Sequence, residues 1–144
     1  MKEIWSWIQM GITGIGGWLG WFLGESDTLV FALIVFVAID YITGLMCGIV
    51  NENLCSDVGF RGIFRKIIIF MLVGIAHMLD DQVIGSGGML RSAVIFFYLS
   101  NEGISILENA GYLGLPIPSK VRRILEQLKD EAEETESDEV EDEN

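Results

Sequence analysis

Residues 28–50 read TLVFALIVFVAIDYITGLMCGIV, 23 residues with a single formal charge at Asp40. At ~1.5 Å per residue, a helix of this length covers ~35 Å, enough to cross a hydrocarbon core of ~30 Å. Arithmetic decides whether it inserts with its acid. The stretch holds 13 Leu, Ile, Phe and Val residues. Near the bilayer centre each contributes roughly −0.3 to −0.6 kcal/mol, against about +3 kcal/mol for one carboxylate. Apolar transfer wins, so the stretch reads as a transmembrane helix with Asp40 inside it.

Upstream, residues 4–23 carry no charge, with Trp5 and Trp7 at one end and Trp18 and Trp21 toward the other. Amphipathic indoles prefer those interfacial positions. Glu25 and Asp27 close this span. Downstream, residues 60–79 are less apolar, and only the 13 residues 67–79 are free of formal charge. Arg61, Arg65 and Lys66 all fall in the first third, where long basic side chains can snorkel to the interface. Asp80, Asp81 and the glycines of 85–88 then make a polar turn, and residues 89–109 read as a further span. Its start carries Arg91, and Asn101, Glu102 and Glu108 lie in its second half.

The expected fold is an all-α integral membrane protein with three to four transmembrane helices. Charge bias favours four. In that arrangement one side holds Lys2, Arg61, Arg65, Lys66, Lys120, Arg122, Arg123 and Lys129, and the other only Arg91. Eight bases against one is a positive-inside pattern with both termini cytoplasmic. Three spans would put the last basic cluster outside.

Composition agrees. The chain has 144 residues, of which 51% are hydrophobic, and a mean hydropathy of +0.44. A soluble domain this small buries only about two-thirds of the surface its unfolded chain exposes, too little for so apolar a sequence. The net charge of −12 looks contradictory until it is located: residues 130–144 hold 10 of the 21 acids and none of the 9 bases. That segment is expected to be a disordered acidic tail, because it repels itself and has almost nothing apolar to bury. Residues 117–129 lie between body and tail. There Ile117, Val121, Ile124, Leu125 and Leu128 share a helical face, beside Lys120, Arg122, Arg123 and Lys129. An interfacial helix touching anionic lipid through those four bases is one reading, and a packed cytoplasmic helix is the other.

Within the apolar body, Gly16, Gly20 and Gly24 recur every four residues, beside Gly11, Gly14 and Gly17. Asp40, Gly44 and Gly48 repeat the spacing in the second span. Small residues let helix backbones approach closely, either within one chain or between copies. Asp40 is expected to be protonated or paired inside the bundle, to line an aqueous cavity or subunit interface, or to relay protons. Glu102 poses the same question, with Arg65 or Lys66 as its partner.

Soluble enzyme, disulfide-scaffold and nucleic-acid-binding classes are excluded by composition. Cys47 and Cys55 form no CxxC pair and read as reduced thiols. The single histidine, His77, is read as an outer-interface residue, since one histidine makes a poor metal site. The N-terminus lacks the small-residue cleavage pattern of a removed signal. No nucleophile–base set, phosphate loop or zinc motif occurs, and neither cofactor nor metal is expected.

Two longer patterns carry a resemblance. One is Asp40-Tyr-Ile-Thr-Gly44, followed by Ser56, Gly59, Gly62 and Arg65-Lys66. The other runs from Tyr98 through Asn101-Glu102-Gly103 to Glu108-Asn109-Ala110, then Leu113-Gly-Leu-Pro-Ile-Pro118 and the basic segment. In order and spacing, over about residues 28–129, these resemble the phage-lysis and toxin-secretion holins. The first span is similar only in character, and the acidic end is longer than that family's usual charged tail. The resemblance implies a protein that oligomerises in the cytoplasmic membrane and opens lesions, releasing an endolysin or a toxin so that the host cell lyses. It implies the bilayer and further copies of itself as partners, an endolysin acting without direct contact, and an antiholin as regulator. The same fold would also serve as an antiholin. A small proton-coupled transporter using Asp40 and Glu102 is the alternative from another class.

Overall fold

The computed structural model describes residues 1–24, 27–52 and 56–141. Glu25 and Cys55 lie outside them, as do residues 142–144. The described chain is helical throughout: α1 (Lys2–Leu23), α2 (Thr28–Val50), α3 (Ser56–Leu79), α4 (Met89–Tyr112) and α5 (Ser119–Glu141). A π-helical turn, Asp80–Ile84, continues α3. Thr28–Val50 and Gly59–Ile84, with mean hydropathies of 2.4 and 1.8, are each long and apolar enough to cross a membrane. The other two expected spans coincide with α1 and α4, which have 22 and 24 residues.

Each helix boundary has a local cause. Asp27 caps α2, its Oδ1 accepting a hydrogen bond from the Val30 amide at 3.0 Å. α1 ends where Gly24 takes φ +69, a conformation costly for residues with a Cβ. The π turn closes with the Gly85 amide donating to the Asp80 carbonyl at 2.8 Å. Gly88 offers α4 no side-chain cap, and the Asp80 carboxylate takes that role. Pro116 and Pro118 separate α4 from α5.

α2, α3 and α4 share one core: Val30, Leu33 and Val37 meet Ile69, Val73 and Ile95. α4 is central, packing on both α2 and α5. α1 is peripheral and has no buried residue. It is held at its last turn, where Phe22 lies on Gly74 of α3 and Gly24 on the ring of His77.

α5 packs on α4, the second of its two expected readings, and runs further than expected. Ile117 packs against Gly111, Leu125 against Gly103, and Lys129 lies 5.6 Å from the Phe97 ring centroid, so α5 retraces α4 antiparallel. Part of its apolar edge thus faces α4, while Val121 and Ile124 stay exposed. The helix also runs to Glu141, so residues 130–141 are helical where a disordered tail is expected. Two local terms help it past 129. Ala132 is 5% exposed, and Lys129 pairs with Glu133 one turn on at 3.9 Å.

Candidate functional site

Asp40 on α2, Lys66 on α3 and Glu102 on α4 meet inside the bundle. The Lys66 ammonium donates to Asp40 Oδ2 and to Glu102 Oε2. Their side chains are 12%, 17% and 9% exposed respectively, so these are largely desolvated ions. Asn109 completes the cluster, its Nδ2 donating to Asp40 Oδ1 at 3.3 Å and to Thr43 Oγ1 at 3.0 Å. Each helix of the core supplies one charge. Coulombic attraction offsets the desolvation only in such close, hydrogen-bonded geometry.

On one side of this triad lies the apolar core. On the other, α2, α3 and α4 diverge around a cavity of about 890 Å³. Gly44, Gly48, Gly59 and Gly62 leave its walls low, while Arg61 and Arg65 project along α3 beside it. The cavity is a vestibule of mixed lining that reaches the triad; Ile69 lines it, and Val37 and Ile95 belong to the apolar core beside it.

The opposite end of the bundle is closed by Arg91, which is 7% exposed. Its Nε donates to the Leu23 carbonyl at 2.6 Å, Nη2 to the Gly24 carbonyl at 2.6 Å, and Nη1 to Asp27 Oδ2 at 2.8 Å. Asp80, 3% exposed, accepts from the amides of Arg91 at 2.7 Å and Leu90 at 3.2 Å and from the Ser86 hydroxyl. The Arg91 hydrogen bond holds the Asp27 carboxyl below the ordinary carboxylate range; burial opposes this, and the Val30 amide adds to it.

The expected site residues therefore separate into groups. Asp40, Lys66 and Glu102 come together, and Gly44 and Gly48 line the vestibule they close. Gly16 and Gly20 face open space, with no atom of this chain within 4 Å of where a Cβ would stand. Gly24 leaves that face: it is the α1 cap, packed on His77 and bonded to Arg91. The four bases of α5 differ in their surroundings. Arg122 approaches Glu108 and Glu126 at 4.0 Å, Lys129 meets Glu133 and Phe97, and Lys120 and Arg123 remain exposed. The knot of Arg91, Asp27 and Asp80 is not foreseen by sequence patterning, though a lone base at the start of an apolar helix was its available signal. Among the described residues no cluster of three or more metal-binding side chains occurs.

Residues 17–130 match the model of the bacteriophage holin family. The chain belongs to that family. Holins are non-enzymatic membrane proteins, in keeping with the apolar α2 and α3. The chain is also similar to a 14.9 kDa protein in the nagH 3′ region of Clostridium perfringens, 41% identical over 89% of this chain and 97% of the relative. A Listeria monocytogenes protein, Lmo0128, is 43% identical over 82% of this chain and 84% of its own. YqxH of Bacillus subtilis is 33% identical over 72% and 73%. No solved structure matches this holin-family chain.

Proposed function

We propose that this chain is a holin that oligomerises in the bacterial cytoplasmic membrane and opens lesions releasing an endolysin, or in some hosts a toxin, so that the cell lyses. The observation that carries this reading is the vestibule of about 890 Å³ that ends on a buried ion triad, in a chain of the holin family. A bundle that hides ions behind a thin apolar core can exchange those intramolecular partners for water along a lesion wall. The open flank of Gly16 and Gly20 offers a second copy close backbone approach. Loss of membrane potential would favour the exchange, since one charge moved across the full field is worth ~2.3 kcal/mol per 100 mV.

The distribution of basic residues supports four crossings with both termini cytoplasmic. Immersing α4 then requires α5 to leave it, because docked α5 would carry Lys129, Glu126 and Asp130 along α4 into hydrocarbon, at about 2.5–3.5 kcal/mol or more for each charge. The docked α5 belongs to a form preceding full insertion, and the released one lies in the cytoplasm.

A second reading, a regulatory partner that suppresses lesions, is favoured by the acid-rich helix from 130 to 141, whose like charges would hold cytoplasmic ends of neighbouring copies apart. One experiment separates the two. Inducible expression with a potential-sensitive dye should collapse the membrane potential and, with a co-expressed endolysin, lyse the cells. Delayed lysis by a second holin, with potential intact, would instead mark the regulator. Confirmed insertion without either effect would remove both.

A further inference from the structure

We propose that the mouth of the vestibule is a binding site for the headgroup of an anionic phospholipid, held by Arg61 and Arg65. The two guanidinium groups sit one helical turn apart on α3, and both line the cavity. Neither has an ion-pair partner among the described residues. Like charges at i and i+4 repel one another unless an anion lies between them. The other charges of the cavity do not fill that role. Asp40 and Glu102 are engaged by Lys66, and Glu108, a single acid of the lining, cannot neutralise two guanidinium groups.

What remains at the mouth is a pair of planar forks suited to bidentate contact with phosphate oxygens. Tyr41 packs on the α3 backbone beside them, its ring 3.4 Å from where a Gly62 Cβ would be and its hydroxyl 3.9 Å from where a Gly59 Cβ would be. A volume of about 890 Å³ is within the range of small-ligand pockets, ~300–1,000 Å³. The flanks of α2 and α3 also expose Ile42, Met46, Ile63 and Phe64, an apolar surface along which acyl chains can lie. A basic mouth on helices whose outer faces are apolar points to a lipid and not to free phosphate. Basic pockets between membrane helices bind anionic headgroups on the cytoplasmic side in this way. The proposal rests on the chain lying in a membrane, but not on its opening lesions.

The test is native mass spectrometry of the purified full-length protein in neutral detergent, with phosphatidylglycerol or phosphatidylcholine added. The wild type should retain phosphatidylglycerol preferentially. Arg61→Gln with Arg65→Gln should lower that retention about tenfold or more, as expected for losing ~1.4 kcal/mol or more of charge-assisted contact. Arg61→Lys with Arg65→Lys, which keeps charge but not the fork, should lie between. Lys120→Gln with Arg123→Gln, at exposed bases of α5, should leave retention within about twofold. Equal loss from the α5 pair would make the effect one of overall charge and overturn the site. So would undiminished retention in both Arg61/Arg65 variants, or displacement of the lipid by excess inorganic phosphate. All of these readouts are independent of lysis.

Discussion

Arg91 and Lys66 are both basic side chains withdrawn into the bundle, at opposite ends of the same three-helix core. Arg91 gives its donors to two backbone carbonyls and one carboxylate. Lys66 gives its protons to two carboxylates from different helices, and its neighbourhood opens into the vestibule. Backbone carbonyls cannot be exchanged or neutralised, so the Arg91 knot acts as a fixed fastening that ties the α1–α2 turn to the start of α4. With all three groups ionised, the Lys66 cluster carries one surplus negative charge. It borders a space that water or another chain can enter, so it is the end of the bundle suited to rearrangement. The proposed opening of lesions would use this asymmetry, one end staying assembled while the other parts.

The largest effect should come from breaking the fixed end. Arg91→Leu leaves the Leu23 and Gly24 carbonyls without their donor and takes the ion pair from Asp27, which keeps the Val30 amide. Each stranded carbonyl costs about 1–3 kcal/mol. Thermal unfolding in detergent should show that loss, together with faster proteolysis of α1, which has no buried residue of its own. Unchanged melting would mean that the knot is not what holds α1.

The difference in legibility between the two ends has a physical origin. Asp40 stands out because a lone acid in 23 otherwise uncharged residues must have a reason to be there, and Lys66 and Glu102 are conspicuous on the same ground. The Arg91 knot is hidden because its acids resemble ordinary turn punctuation. Asp80 caps an amide 11 residues away through a π turn, a relation that no helical or strand period encodes. Helical periodicity locates the apolar edge of α5 but not what covers it. The missing side chain at Gly103, which admits Leu125, is what seats that edge on α4. The helix from 130 to 141 escapes a charge-based reading because like-charge repulsion is weighed without the packing of Ala132 or the Lys129–Glu133 pair.

At the movable end the effect should be smaller in stability and larger in timing. Lys66→Met leaves Asp40 and Glu102 facing each other without a cation, and one of them must take up a proton or turn into the vestibule. That costs about 2–3 kcal/mol, less than a sealed site would exact, because the vestibule admits water. Lysis should begin earlier, since the closed bundle is the state penalised. Adding Asp40→Asn and Glu102→Gln to Lys66→Met removes every uncompensated charge and should restore most of the stability. A triple variant as unstable as the single one would show that Lys66 serves packing and not charge.

The smallest effect concerns Gly103, where α4 passes between α2 and α5. An added Cβ would stand 2.9 Å from Leu125 Cδ1 and 3.1 Å from Phe36 Cε1. The Leu125 methyl is the end of a rotatable side chain and can swing away, while alanine gains up to about 1 kcal/mol over glycine inside a helix. Gly103→Ala should therefore leave the melting temperature nearly unchanged and yet loosen α5. In detergent, where α5 can stay docked, a weakening of about 1 kcal/mol raises its undocked population roughly fivefold, and trypsin should cut at Arg122 and Arg123 faster in proportion. In bilayers four crossings demand that α5 has already left α4, so variant and wild type should be cut at the same rate. Should wild-type α5 in bilayers be as protected as in detergent, and the variant still be cut faster, α4 would not be immersed. The membrane part would then reduce to the helices before it, with the Lys66 triad at its edge and not within it.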